Sequence, residues 1–438
     1  MKKKYLILIV IISFFNCSKE DLSTQKVTVN SITPINTFIG DTLTLTGQNL
    51  ASLNKVTLIN KEINTSYNYK IVRKFISKTA TEIKFIVPEL YHEKVTITIT
   101  DDSPKLEIEL FGFIPYAKQH NGSIYRHAVL RQLISDDVVY LESDTYHIER
   151  FKLTNNLTDY NSLPSKTAND ASYYYTSENS GWIIARGTAY NSYNVYSFTG
   201  DINNRTLAYT ILSKDIGKRI SHMEFVSKDL AYIMNGEGEM FQVLNGQITS
   251  FSDLYPSLSN TPYMTNDYSD YAYKFQVLED KSVIISPWYQ NYILRFNDTT
   301  FDAIYFESSV SNYYEDSVSK PIFFGNTGAF YSNKKIFKSN DYGLTWKEYN
   351  VDVPMDKYDG IQFLGGSQFL LHDGSYANDP SIRHKYLSTD NGANWKLIYS
   401  SYGFIRGLKI SDQYGVANTG PNGAYGLIKF RKFPNNFN

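Results

Sequence analysis

Cysteine is almost missing: Cys17 is the only one in 438 residues. An intramolecular disulfide is therefore excluded, and the fold has to be held by burial. Long apolar runs are also absent. The longest, from Tyr5 to Phe15, covers eleven residues, well short of the roughly 20 that a membrane-spanning helix needs. Charge of one sign is not in excess either, with a net of −1 and no basic run, so composition argues against nucleic acid or an anionic membrane as a partner. No phosphate-cradling glycine loop, Gly-x-Ser-x-Gly elbow or dinucleotide fingerprint occurs. What is abundant is aromatic, with 37 tyrosines and 26 phenylalanines, a bias that favours strands over helices.

The N-terminus has the anatomy of a secretory signal. Lys2, Lys3 and Lys4 precede the short apolar run, and Cys17 follows it after Asn16. This segment resembles the lipobox of bacterial lipoproteins, although Phe14, Phe15 and Asn16 replace the usual Leu-small-small triplet. The resemblance implies that residues 1–17 are a lipoprotein signal and that the chain is lipidated at Cys17. It also implies an outer-membrane location, and Ser18-Lys19-Glu20-Asp21 resembles a surface-export tag. Two or more acyl chains anchor stably where one does not. Cleavage removes three lysines and takes the net charge from −1 to −4.

Residues 18–26 are polar and without period, as expected of a flexible tether. From 27 to 112, short period-two runs such as Thr42–Thr46 and Val95–Thr100 alternate with turn residues, which predicts a β-sandwich. Ile32-x-Pro34, Gly40, Leu45-Thr46-Gly47-Gln48-Asn49-Leu50 and Val87-Pro88 resemble the IPT/TIG immunoglobulin-like family, whose members are usually spacers or protein-binding modules.

Residues 115–438 read as a repeat array. Ser339-x-Asp341-x-Gly343-x-Thr345-Trp346 and Ser388-x-Asp390-x-Gly392-x-Asn394-Trp395 are copies of one motif. It resembles the Asp-box, or BNR repeat, of sialidase and sortilin propellers, where the aspartate serves a tight hairpin, the glycine is left-handed and the tryptophan packs between sheets. Weaker strand-turn-strand units open near Leu133, Ser177, Phe225, Leu278, Phe324, Leu364 and Ile410. Their spacing of roughly 40–50 residues fits a four-stranded blade. The expected fold is thus all-β, a β-sandwich followed by a β-propeller of about seven blades, with six or eight as alternatives.

Chemistry is harder to find. A sialidase needs an arginine triad and a Tyr–Glu pair, and its first arginine sits in an Arg-Ile-Pro motif. Here the corresponding region is Phe113-Ile114-Pro115. Arg126, Arg131, Arg186, Arg219, Arg295, Arg383 and Arg406 lack that family's context. His120 with His127 and His372 with His384 have no third ligand at a metal-binding spacing. The expectation is no catalytic residue, no metal and no cofactor. Aromatic, amide-flanked segments stand out instead: Tyr255–Tyr273, Pro287–Tyr292 and Ser311–Asp316. Trp288, Tyr289, Tyr292, Tyr313 and Tyr314 are the candidate binding aromatics, because exposed rings beside amides suit sugar stacking or protein recognition. The leading expectation is a non-catalytic surface lipoprotein that binds a glycan or a protein partner. A sialidase-like glycoside hydrolase and a structural accessory subunit of an outer-membrane complex are the alternatives.

Overall fold

The computed structural model describes residues 26–433, apart from 60–68, 91–92, 100–103, 116–128 and further loop segments, the longest being 160–171, 261–272, 307–320 and 374–382. The chain divides into two compact units at Leu110/Phe111.

The first unit is a sandwich of two antiparallel sheets. One holds β1 (Thr28–Thr33), β3 (Thr42–Gln48), β7 (Glu82–Ile86) and β6 (Ser77–Lys78), in the order β1-β3-β7-β6. The other runs β9 (Leu106–Pro115), β8 (Lys94–Thr98), β4 (Val56–Ile59), β5 (Tyr69–Val72), with β2 (Asn36–Phe38) on the far side of β9. Alternation in the sequence becomes alternation in burial. In β3, Leu43 and Leu45 are fully buried between partly or fully exposed threonines, and Val56, Leu58, Ile83 and Phe85 complete the same layer. The Gly47-x-Asn49 turn divides its work between two residues. Asn49 is the left-handed residue, at φ 58°. Gly47 instead allows a close approach, because a Cβ there would lie 2.0 Å from the Thr28 carbonyl oxygen.

The second unit begins at Phe111 rather than Pro115. Among the described residues it contains six four-stranded sheets in chain order, over 129–159, 172–212, 220–250, 273–305, 322–350 and 358–401. Blade 7 takes three strands from 404–431 and its fourth from β9, where Gly112–Pro115 pair with Ile428–Arg431. The first strand of blade 1 (Val129–Leu133) packs on the first two strands of blade 7, which closes the ring. Each of the seven strand-turn-strand units in the sequence is the first hairpin of one blade.

Cohesion comes from apolar layers between neighbouring sheets. Trp182, Ile184 and Val195 of blade 2 pack with Met223, Ile233 and Val243 of blade 3. Tyr232 and Met240 of blade 3 pack with Phe275, Ile285 and Leu294 of blade 4. The layers between blades 4 and 5 and between blades 5 and 6 are built the same way around Phe330 and Ile336. Aromatics fill these wedge-shaped gaps because a ring buries a large area at little rotamer cost.

Candidate functional site

Blade 4 gathers the aromatic segments that the sequence singles out. Its strands are Tyr273–Val277, Val283–Pro287, Tyr292–Phe296 and Phe301–Tyr305. Tyr273 pairs with Pro287 and Tyr292 with Tyr305, so these four residues mark one end of the sheet. Segments 261–272, 288–291 and 307–320 all depart from that end. Trp288, Tyr289, Tyr313 and Tyr314 lie in them, outside the described residues.

Tyr292 departs from the expectation of an exposed binding ring. It is only 7% exposed and belongs to the layer between blades 3 and 4, its ring 5.7 Å from that of Tyr305. The first residue of a third strand faces the neighbouring blade, and a phenol fills that gap. Tyr255 is a second packing residue: it is buried against Phe251 and Phe296, and its hydroxyl donates to the Asn297 carbonyl at 2.6 Å. Among the described residues, Tyr305 is an exposed ring at this end, at 58%. Sequence reasoning did not single it out. Its place as last residue of an alternating outer strand is the signal that could have found it.

The two Ser-x-Asp-x-Gly turns sit at the other end of the sheets. Each joins the third and fourth strands of its blade and is tied to that blade's first hairpin. Tyr342 N–H donates to the Asn326 carbonyl at 2.9 Å, and Asn391 N–H to the Ser367 carbonyl at 3.0 Å. Inside the first turn, Ser339 Oγ donates to Asp341 Oδ1 at 2.7 Å and accepts from Gly343 N–H at 2.8 Å. Asp341 also accepts from the backbone N–H and hydroxyl of Thr345. The second turn repeats this with Ser388, Asp390, Gly392 and Asn394 at 2.7–2.9 Å. Gly343 and Gly392 lie at φ 81° and 85°, each preceded by another left-handed residue.

These turns also lock blade to blade. A Cβ on Gly343 would meet Ile284 of blade 4 at 2.7 Å, and one on Gly392 would meet Ile336 of blade 5 at 2.8 Å. Arg295 of blade 4, 4% exposed, donates from Nε to the Tyr342 carbonyl and from a terminal nitrogen to Asp280 at 2.8 Å. One of the arginines weighed for a substrate carboxylate is thus committed to a clasp. Lys338 of blade 5 donates to Asn391 at 3.3 Å; burial, and secondarily the nearby Lys347 charge, lower its pKa. Burial opposes ionisation of Asp341 and Asp390, but the hydrogen bonds from their own turns outweigh it and hold both carboxyls below the usual range. Trp346 donates its indole N–H to the Gly343 carbonyl at 3.0 Å and packs on Phe330; Trp395 packs on the layer around Ile336. The serine hydroxyls and aspartate carboxylates of both turns are used internally, so their chemistry is structural, although the buried Trp395 indole N–H, unlike that of Trp346, has no hydrogen-bond partner among the described residues.

Among the described residues, no group of three His, Cys, Asp or Glu side chains could hold a metal ion. No helix among them is long and apolar enough to cross a membrane.

The molecule is therefore an all-β chain that joins an immunoglobulin-like domain to a seven-bladed propeller. Residues 28–111 are an IPT/TIG domain. No curated protein matches the chain. Among solved structures it is similar to YCF48 from Cyanidioschyzon merolae, at 14% identity and a TM-score of 0.48 over 71% of this chain and 97% of that one. It is also similar to the Cps50 (Swd1) β-propeller domain of Myceliophteria thermophila, at 9% and 0.46 over 72% and 98%. A third is an auxiliary nutrient binding protein from Bacteroides thetaiotaomicron, at 12% and 0.40 over 86% and 98%.

Proposed function

We propose that the protein is an outer-membrane lipoprotein, anchored through Cys17 and displayed at the cell surface, whose propeller binds a glycan or a protein partner without catalysing a reaction. The observation that carries the binding reading is the register of blade 4. It brings the departure points of three aromatic, amide-rich segments to one sheet end, beside exposed Tyr305. Loops at one face of a rigid propeller are the usual seat of recognition. The opposite end of blades 5 and 6 is occupied by the self-satisfied aspartate turns.

The test pairs a glycan array with a pull-down from outer-membrane extract, both using wild type and Trp288→Ala. The reading expects a ligand in one assay and at least about tenfold weaker binding by the variant. Binding in neither assay, or equal binding by the variant, would sink it. The anchor is checked separately by metabolic acyl labelling, which Cys17→Ala must abolish.

A further inference from the structure

The net charge of the chain conceals a segregation within the IPT/TIG domain. Six exposed cations, Lys26, Lys55, Arg73, Lys74, Lys78 and Lys105, collect at one pole of the sandwich. The hydrogen bonds and register place them there. Asn49, just beyond β3, donates to the Lys26 carbonyl, and Leu50 N–H donates to Ala80 in the turn after Lys78. Lys78 Nζ reaches the Leu53 carbonyl at 3.1 Å. Lys55 precedes β4, whose first residue Val56 pairs with Val72, so Arg73 and Lys74 leave β5 beside it. Lys105 precedes Leu106, which pairs with Ile97 near the same end. Two described carboxylates lie near this pole: Glu82, which Lys84 holds at 3.0 Å, and exposed Glu107, two residues beyond Lys105. Asp101 and Asp102, between β8 and β9, lie outside the described residues.

The other pole has the opposite sign. Asp41, Glu89, Glu93 and Glu109 gather there with Lys94 as the counter-charge; Val87 N–H donates to the Asp41 carbonyl close by, and Lys94 stands opposite Glu109 in the β8–β9 register. The chain enters the domain at the basic pole, where Thr28 pairs with Gln48, and β9 leaves it at the acidic one.

We infer that the basic pole docks on the anionic phosphate-bearing lipid headgroups of the leaflet that holds the anchor. The inference rests on the lipid-anchor reading, because a tether of residues 18–26 reaches at most about 30 Å even when fully extended. Only the pole at which the tether enters is held against the bilayer at that length. Clustered cations within a Debye length, about 10 Å at 0.1 M salt, of anionic headgroups each contribute attraction. The acidic pole would be repelled, so the charge asymmetry orients the domain with its exit strand away from the membrane.

The test uses the mature chain, residues 17–438 with Cys17→Ala, so that no acyl chain contributes. It is sedimented in low salt with vesicles of phosphatidylethanolamine carrying 30% phosphatidylglycerol and with phosphatidylcholine vesicles. Binding to the first only, lost in high salt, is expected. Replacing Lys55, Arg73 and Lys74 by Gln should weaken it on the order of a hundredfold, at about fivefold per charge. Lys94→Gln, at the other pole, should leave it unchanged. Thermal melts of both variants check that the fold is kept. Equal binding to both vesicle types, or full binding by the triple variant, overturns the inference. Acyl labelling of the wild type distinguishes the two failures: labelled protein without headgroup preference refutes the docking alone, and headgroup preference without labelling refutes the anchor alone.

Discussion

At the residue scale, the aspartate turns show one side-chain pattern fixing a backbone and a neighbour together. The serine hydroxyl serves as both donor and acceptor, the aspartate collects donors two and four residues away, and the glycine leaves room for the preceding blade's isoleucine. Asp341→Ala or Asp390→Ala should each cost roughly 1–3 kcal/mol, read from urea denaturation, because backbone donors lose a charged acceptor. Both carboxyls titrate lower in the folded chain than unfolded, so their stabilisation is complete above the ordinary value of 3.8 and is lost as pH falls through the depressed folded values. Acid unfolding of the double alanine variant should accordingly be less steep below that pH than that of wild type. Gly343→Ala adds a Cβ both to a left-handed backbone and against Ile284 at 2.7 Å. It should destabilise by about 1–3 kcal/mol, and Ile284→Val in the same chain should recover the steric part only. Full recovery would mean that the left-handed φ costs nothing. The turns were legible in the sequence because local spacing alone specifies them; Tyr292 was not, because burial of a ring depends on the blade beside it.

At the scale of elements, strands were readable and partnerships were not. Period-two alternation in Thr42–Thr46 announces β3, and the seven strand-turn-strand units mark the first hairpins. Nothing local indicates that Arg295 in the third strand of blade 4 completes the turn of blade 5, a contact across 47 positions. Its burial makes the clasp sensitive. Arg295→Ala should cost about 1–3 kcal/mol, since it leaves the Tyr342 carbonyl without its donor and Asp280 with its Ser282 bonds alone. Arg295→Met with Asp280→Asn should recover more than half of that in a denaturation midpoint. A cost no larger than that of an exposed arginine would show that the ion pair contributes nothing. The charge poles of the first domain belong to this scale too. Their cations are scattered from Lys26 to Lys105, and a linear reading sees only a nearly neutral chain.

Across the whole molecule, the order of sandwich then propeller followed from two kinds of patterning, while the exact seam did not. Phe113-Ile114-Pro115 stands where a sialidase carries its Arg-Ile-Pro motif, yet it belongs to the strand that completes blade 7 against Ile428–Arg431. Deleting residues 426–438 removes that partner, so the ring should lose its single cooperative thermal transition while the domain of residues 28–111 keeps its own melt. Retention of a wild-type transition would show that the seam is dispensable. The seam also sets a timetable for biogenesis. One side of it is made about 300 residues before the other, and closing so large a loop is entropically slow. During synthesis, Gly112–Pro115 of β9 must keep that edge unpaired while six blades assemble, and such an edge invites pairing with other chains. Folding thus demands protection of one short strand until Ile428–Arg431 arrive.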